Sequence, residues 1–386
     1  MHISQKLREF NVVIVTHVFV TGPAQELEEY LKEKVNCLVF IGHPFSYAED
    51  IRSFYRIYHK GVLLTERRTF CYRFPDILMY FKDVFYTIYW IVRLRKVFNL
   101  FVGADPLNAL AGIILKKLGK IKKVIFYSID YTPYRFNNKF LNWIYHKVDS
   151  FCSCKCDFVW NLSQRMIDAR RRKGIKRVDN QMVVPMGVHF ERIIQRDVNQ
   201  INRNHIVYMG HLRKGQGLEL VIESLPQIIE RIKSIRLIVI GTGILESILR
   251  NMVKKLKVED YVEFKGYIKD HKEIEEILVS CAVGLAVYEP ILRGFTWYTD
   301  SGKPKQYLAC GLPVVITEVP SIAEEIRKRE MGVIIEYNKN DLTSAITKLL
   351  SDDNFYNKCR KNAIKFASDF SWDRVFGESL EKVCRE

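Results

Sequence analysis

HIVYMGHLRKGQGLELVIESLPQIIERIKSIRLIVIGTG, residues 205–243, decides how the chain folds. A short apolar run, His205–Met209, breaks into a loop with three glycines and two cations, Gly210 to Gly217. Leu218–Arg231 follows, with apolar residues at the 3.6-residue period of a helix, and a second β-branched run, Arg236–Ile240, ends in Gly241-Thr242-Gly243. Strand, helix, strand, with a glycine loop after each strand, is a βαβ unit. Its near-continuous apolar strands belong in a parallel sheet covered on both faces.

The same alternation extends in both directions. Downstream it predicts strands Tyr261–Phe264, Val283–Val287, Val314–Thr317 and Gly332–Ile335, separated by helices Ile244–Leu256, His271–Val279, Lys303–Ala309 and Ile322–Lys328. Helices Leu342–Leu350 and Asn354–Asp369 follow. Upstream it predicts strands Asn11–Val18, Cys37–Ile41, Leu100–Val102, Val124–Tyr127 and Phe158–Asn161. The helices between them are Ala24–Lys34, Pro75–Phe98, Leu107–Leu118, Phe140–Cys154 and Ser163–Arg172. A polar run near Arg196–Asn204 interrupts the pattern. The expected organisation is a doubly wound α/β domain over residues 1–190, a linker over 191–204, and a second such domain over 205–365. A helical segment, 366–386, is expected to pack back toward the first domain.

With 386 residues, 48% hydrophobic and 27% charged, the composition is that of a globular protein and excludes a disordered or fibrous chain. The formal charge of +16 is unevenly spread. Residues 1–200 hold 32 Lys plus Arg against 18 Asp plus Glu, a surplus of 14, whereas residues 201–386 hold 28 against 26. The first half therefore calls for an anionic partner. Nine cysteines without regular spacing suit a reducing, cytoplasmic setting, and Cys152, Cys154 and Cys156 lack the companions of a zinc site. The run Val12–Val20 leads into Thr21-Gly22-Pro23 and is expected to be a buried strand rather than a secretory signal. Lys82 and Asp83 break the aromatic segment Ile77–Val92, so no span is expected there.

Ligands of open α/β sheets bind beyond the carboxyl ends of the strands, so the loops there are the candidate site. Gly210 and the cations Arg213 and Lys214 follow one strand, Gly241 and Gly243 the next, and Gly266, Tyr267 and Ile268 the third. A further loop carries Ser301, Gly302 and Lys303 into a helix start, with Pro304 in its first turn. Glycine lets backbone approach a ligand, and cations beside helix N-termini hold anions. Together these loops point to a nucleotide or diphosphate. The order of a Walker loop is absent.

The runs YMGHLRKGQGLELVIES, IVIGTG, FKGYI, GKPKQYLACGLPVVITEVP and FSWD resemble the donor half of the retaining GT-B glycosyltransferases of family four, glycosyl transferases group 1. The resemblance implies two Rossmann-like doubly wound domains facing a central cleft. It also implies a nucleotide-diphosphate-sugar co-substrate with no other cofactor and no metal, and transfer with retention of anomeric configuration. Lys214 matches the family's donor-phosphate lysine, Arg213 stands in for a missing arginine at His211, and Lys303 matches the lysine of the second segment. Gln306 occupies the place of the ribose-binding glutamate and Tyr298 that of the first glutamate of the longer motif. An amide oxygen still accepts a hydrogen bond but loses charge assistance. Gly22 matches a loop near donor and acceptor. Catalysis falls to Asp130, Lys214 and Lys303, with Gly22, Gly210, Arg213, Gly241, Gly243, Tyr267, Ile268, Ser301, Gly302 and Gln306 completing the donor site.

Where the family often carries a His-Asp pair, this chain reads Ile129-Asp130. Asp130 suits either an acceptor hydroxyl or an ordinary turn, and Arg135 either an acceptor phosphate or solvent. Asp105 and Ser163 read first as helix starts. Residues 67–98 mix cations with aromatic residues. That composition suits either an amphipathic helix on an anionic membrane or a core helix with solvated charges. The expected partners are a nucleotide-sugar donor, a glycan or lipid-linked acceptor and an anionic membrane surface, with no nucleic acid. A binding or scaffold protein that has lost turnover is the alternative.

Overall fold

The computed structural model describes residues 6–18, 22–71, 75–290 and 294–385. Phe19 and Val20, the end of the run expected as a buried strand, and Thr21 after it lie outside them. The chain divides into two compact units, one of residues 1–185 and 372–386, the other of residues 186–371.

The second unit holds a six-stranded parallel sheet: β9 (His205–Met209), β10 (Arg236–Ile240), β11 (Val262–Gly266), β12 (Val283–Ala286), β13 (Val314–Thr317) and β14 (Gly332–Ile335). Their spatial order, β11-β10-β9-β12-β13-β14, reverses direction between β9 and β12. Alternate residues face opposite layers. Ile206, Tyr208, Leu237 and Val239 pack into one core, and Val207, Ile238, Ile240 and Ile316 into the other. Burial on both faces is why these strands read as unbroken apolar runs.

The first unit holds β1 (Asn11–Val18), β2 (Cys37–Pro44), β3 (Phe54–His59), β4 (Val62–Arg68), β5 (Phe98–Ala104), β6 (Ile121–Ser128), β7 (Phe158–Asn161) and β8 (Gln181–Val183). They lie in the order β4-β3-β2-β1-β5-β6-β7-β8. This sheet reverses between β1 and β5. The sequence reading missed β3 and β4, an antiparallel hairpin on the sheet edge. Its turn is Lys60-Gly61, both at positive φ, as a two-residue hairpin requires. Because β4 is solvent-exposed along most of its length, it lacks the apolar run that marks a buried strand. Helix Asp76–Arg93 also ends earlier than the predicted Phe98, because Phe98 opens β5 and donates to Lys120 O at 2.9 Å.

The expected linker, 191–204, lies inside the second unit. Ile193 and Ile201 are buried there, Arg192 pairs with Glu275, and Gln195 donates to Ala309 O at 2.6 Å. The units meet in sequence at Pro185/Met186 and Ser371/Trp372 instead. The last helix, Trp372–Arg385, belongs to the first unit, where Lys34 pairs with Asp373 at 2.7 Å and Lys123 Nζ donates to Val383 O at 3.0 Å.

Candidate functional site

In the second unit the loops leaving β9, β10 and β11 are laced together, next to the point where strand order reverses. Gly210 N donates to Ile240 O at 2.9 Å, Leu212 N to Thr242 O at 3.0 Å, and Gly241 N to Gly266 O at 2.7 Å. This lacing gives the glycines a second cause. A Cβ on Gly241, whose φ is +126°, would stand 2.1 Å from Gly210 O, and one on Gly243 would stand 2.3 Å from Leu212 O. Close approach of loop to loop, not of loop to ligand, excludes side chains there. Gly241→Ala should therefore cost about 2–4 kcal/mol of stability in urea unfolding, from positive φ plus overpacking.

Gly210 faces a different neighbour. A Cβ there would meet Lys303 Cε at 3.1 Å and Nζ at 3.2 Å. Lys303 rises from the first turn of helix Gly302–Ala309 and lies 4.2 Å from the ring centroid of Tyr208 and 5.0 Å from that of Tyr288. Its one hydrogen bond among the described residues goes to Gln216 Oε1 at 3.3 Å, and no carboxylate there pairs with it. Burial, reinforced by the Arg213 cation nearby, pushes the Lys303 ammonium down to about 7. An unneutralised cation under a glycine turn and beside a helix N-terminus is a place prepared for an anion.

Lys305, two residues on, shows the contrast. It is buried against Asp300 Oδ2 at 2.5 Å and donates to Met186 O at 2.8 Å, which makes it a structural pin. Ser301 Oγ bonds Tyr288 OH at 2.6 Å, which fixes the approach to the same helix. Gly302 opens that helix beside Met186. Arg213 and Lys214 are both exposed, and no hydrogen bond or ion pair among the described residues holds Lys214. Tyr267 is exposed, and Ile268 packs on the apolar layer.

Gln306 Nε2 donates to Glu275 Oε1 at 3.1 Å, and Glu275 is itself paired with Arg192. A carboxylate can only accept, so the Gln306 amide nitrogen is committed and its oxygen is left as the acceptor. Glu275 comes from helix His271–Ser280 and had no sequence signal linking it to residue 306. Tyr298 is buried in the short helix Phe295–Tyr298.

In the first unit the reversal point between β1 and β5 carries a polar cluster that the sequence reading did not assemble. His17 Nδ1 lies 2.5 Å from Asp105 Oδ2, and its Nε2 lies 3.4 Å from Asp83 Oδ2. His43 bonds Ser53 at 2.9 Å and Thr87 at 2.8 Å, and stands 3.3 Å from Asp83. Burial works against charge on His17, yet Asp105 and then Asp83 outweigh it and push His17 up to about 9. Burial alone would raise Asp83, but His17 and His43 beside it hold its carboxyl well below the usual range. Asp105 caps helix Pro106–Lys117 as expected, accepting from Asn108 N at 2.9 Å, but at φ +110°. A non-glycine residue there is strained, and strain persists only where the surroundings enforce it.

Asp130 and Arg135 are brought together, though as partners of each other, at 3.3 Å. Gly22 is extended at φ −158°, and an added Cβ would touch only Gln25 at 3.5 Å, so the fold does not require glycine at that position. Arg170 is 1% exposed and bidentate to Asp149, at 2.9 and 2.6 Å. Cys152 and Cys156 lie in the apolar core of this unit.

Two Rossmann-like sheets in one chain, the second with glycine loops and the cation Lys303 at its switch point, define a GT-B fold. Solved structures of that fold align along nearly the whole chain. Sucrose-phosphate synthase from Thermosynechococcus elongatus has a TM-score of 0.73 at 14% identity, covering 98% of each chain. Anabaena HepE in complex with UDP-glucose has 0.71 at 14% identity, covering 98% of this chain and 100% of the other. Residues 203–352 match the family model Glycosyl transferases group 1. Among curated relatives, an uncharacterized glycosyltransferase of Methanocaldococcus jannaschii is 25% identical over 189 residues, covering 47% of this chain and 45% of the relative. The N-acetylgalactosamine-N,N'-diacetylbacillosaminyl-diphospho-undecaprenol 4-alpha-N-acetylgalactosaminyltransferase of Campylobacter jejuni is 26% identical over 199 residues, covering 50% and 51%. The matched stretch thus spans about half the length of these relatives.

Proposed function

We propose that the protein is a glycosyltransferase that moves a sugar from a nucleoside-diphosphate sugar to a glycan or lipid-linked acceptor, with retention of anomeric configuration and without a metal. The observation that carries this reading is Lys303, a half-buried cation with no carboxylate partner among the described residues, set against Gly210 at the switch point of a group 1 domain. Lys303, Arg213 and the N-terminus of helix Gly302–Ala309 hold the diphosphate, with Lys214 at its exposed side. Gln306, its nitrogen tied to Glu275, accepts from a ribose hydroxyl through its oxygen.

The bond from the anomeric carbon to the diphosphate oxygen breaks while the bond to the acceptor oxygen forms. The acceptor proton passes to the leaving diphosphate, whose growing charge the two cations and the helix dipole stabilise. Asp130 and Arg135, a half-exposed pair that an acceptor can open, orient the acceptor hydroxyl and any phosphate attached to it. The diphospho-undecaprenol in the name of the Campylobacter relative supports a lipid-linked acceptor. The nine unpaired thiols fit a reducing compartment.

A panel of UDP-, GDP- and ADP-sugars, followed by thermal shift and by nucleotide release with acceptors, tests the reading. Binding without release on any acceptor would favour a binding protein, and no binding at all would end the proposal. The titration of Lys303 supplies a second test. A bound diphosphate favours the ammonium form, so donor affinity should be level below about pH 7 and fall as pH rises through 8 and 9, by up to tenfold per unit. Calorimetry with a nucleotide sugar, in buffers of different ionisation enthalpy, should show proton uptake at pH 8. Lys303→Arg should abolish it, because guanidinium stays charged.

A further inference from the structure

Helices Asp76–Arg93, Pro106–Lys117 and Lys139–Lys155 lie side by side on one face of the first sheet and share one apolar core. The first of them is apolar on its outer face as well as its inner one, where Trp90 and Ile91 join the core. Its inward face carries Asp83 and Thr87, both buried in the polar cluster around His43. Its outward face carries Leu78, Phe81, Phe85, Tyr89 and Val92, at helical spacing, with Phe81 70% and Phe85 61% exposed. The helix on the far side repeats the pattern, with Phe140, Trp143, Ile144 and Phe151 exposed. Apolar stripes of this kind on a folded surface mark an interaction site.

Charge identifies the partner. Residues 76–157 contain 13 Lys plus Arg against 6 Asp and no Glu. Of those carboxylates, Asp83 and Asp149 are buried, and Asp157 is tied to Lys116 at 2.6 Å. The cations stand among the aromatic rings. Arg93 lies over Tyr89 at 5.9 Å and Lys147 over Trp143 at 5.6 Å. Aromatic residues with Lys and Arg, on parallel helices and with almost no free acid, suit the interface of a negatively charged bilayer. No helix among the described residues is long and apolar enough to cross one.

We propose that the outer faces of helices Asp76–Arg93 and Lys139–Lys155 dock the first unit onto an anionic lipid bilayer. The aromatic stripes enter the interface and the surrounding cations meet the headgroups. This docking does not depend on the donor site in the second unit.

Sedimentation of the full chain with vesicles provides the test. Binding to phosphatidylglycerol–phosphatidylcholine vesicles should exceed binding to pure phosphatidylcholine at least tenfold and weaken with salt. Phe81→Ser with Phe85→Ser, or Trp143→Ser alone, should lower it about tenfold with an unchanged unfolding midpoint, because these side chains are exposed. Brominated lipids should quench fluorescence in the wild type and much less in Trp143→Phe, which keeps the apolar surface. Failure of the wild type to bind phosphatidylglycerol vesicles at low salt would overturn the proposal, as would stripe variants that bind like wild type. A wild-type dimer that the stripe variants turn monomeric would instead assign the surface to a second copy of the chain.

Discussion

Replacing Lys303 by alanine should lower kcat/KM by about 10²–10³, or about 2.7–4 kcal/mol of transition-state stabilisation, the scale of losing one preorganised donor from a water-poor site. The size of the effect follows from placement. Lys303 is held against Gly210 and over two tyrosine rings, so its charge is fixed where a diphosphate would leave and needs no reorganisation. The same substitution should leave the unliganded fold as stable as before or more so, because the structure holds this ammonium at a cost, shown by its depressed pKa. Lys214→Ala offers the comparison. An exposed, unfixed cation is worth about 0.2–1 kcal/mol, so a loss of roughly fivefold or less is expected. Steady-state kinetics and thermal unfolding of both variants check this. Equal losses would mean that the sequence motif, not the burial, ranks the two lysines. An unfolded Lys303→Ala protein would make Lys303 a structural residue.

Asp149→Ala should destabilise the first unit by about 3–5 kcal/mol, the cost of stranding a buried charge. Arg170 cannot shed its proton, and beyond Asp149 it donates to Asn161 and to Ser128 Oγ at 2.8 Å. Its guanidinium therefore fastens helices Lys139–Lys155 and Gln164–Arg172 to the carboxyl ends of β6 and β7. Urea unfolding followed by far-UV circular dichroism measures the loss. Asp149→Leu with Arg170→Met should recover most of it, since neither charge is then left unpaired. A double variant no more stable than Asp149→Ala would show that the hydrogen bonds to Asn161 and Ser128, rather than the charge, set the cost.

How much was legible differs between the units for a physical reason. The second sheet is buried on both faces, so β9, β10, β13 and β14 were read to the residue from apolar runs alone. The outer strand of the hairpin, β4, faces solvent, and the clear mark of the pair in the sequence is the Lys60-Gly61 turn. The basic cluster at Arg170–Lys173 reads as a solvated helix end, because sequence carries no sign that Asp149 waits across the core. Helix Asp76–Arg93 is apolar and aromatic throughout. Its composition leaves two readings open, and only burial shows that Asp83 and Thr87 point inward while Phe81 and Phe85 point out.

By itself, the sequence determined that this is a chain of two doubly wound α/β domains with glycine loops and cations at the strand ends of the second. Both features are local: strand burial leaves unbroken apolar runs, and a turn that admits no side chain leaves a glycine. Tertiary structure decided which of those residues matter and how. It separated Lys303, unneutralised, from Lys305, pinned to Asp300, two residues apart in one motif. It also gathered His17, Asp83 and Asp105 at one switch point from three distant segments. Whether a charge is satisfied depends on its neighbours in space, and a linear order of residues does not contain that distance.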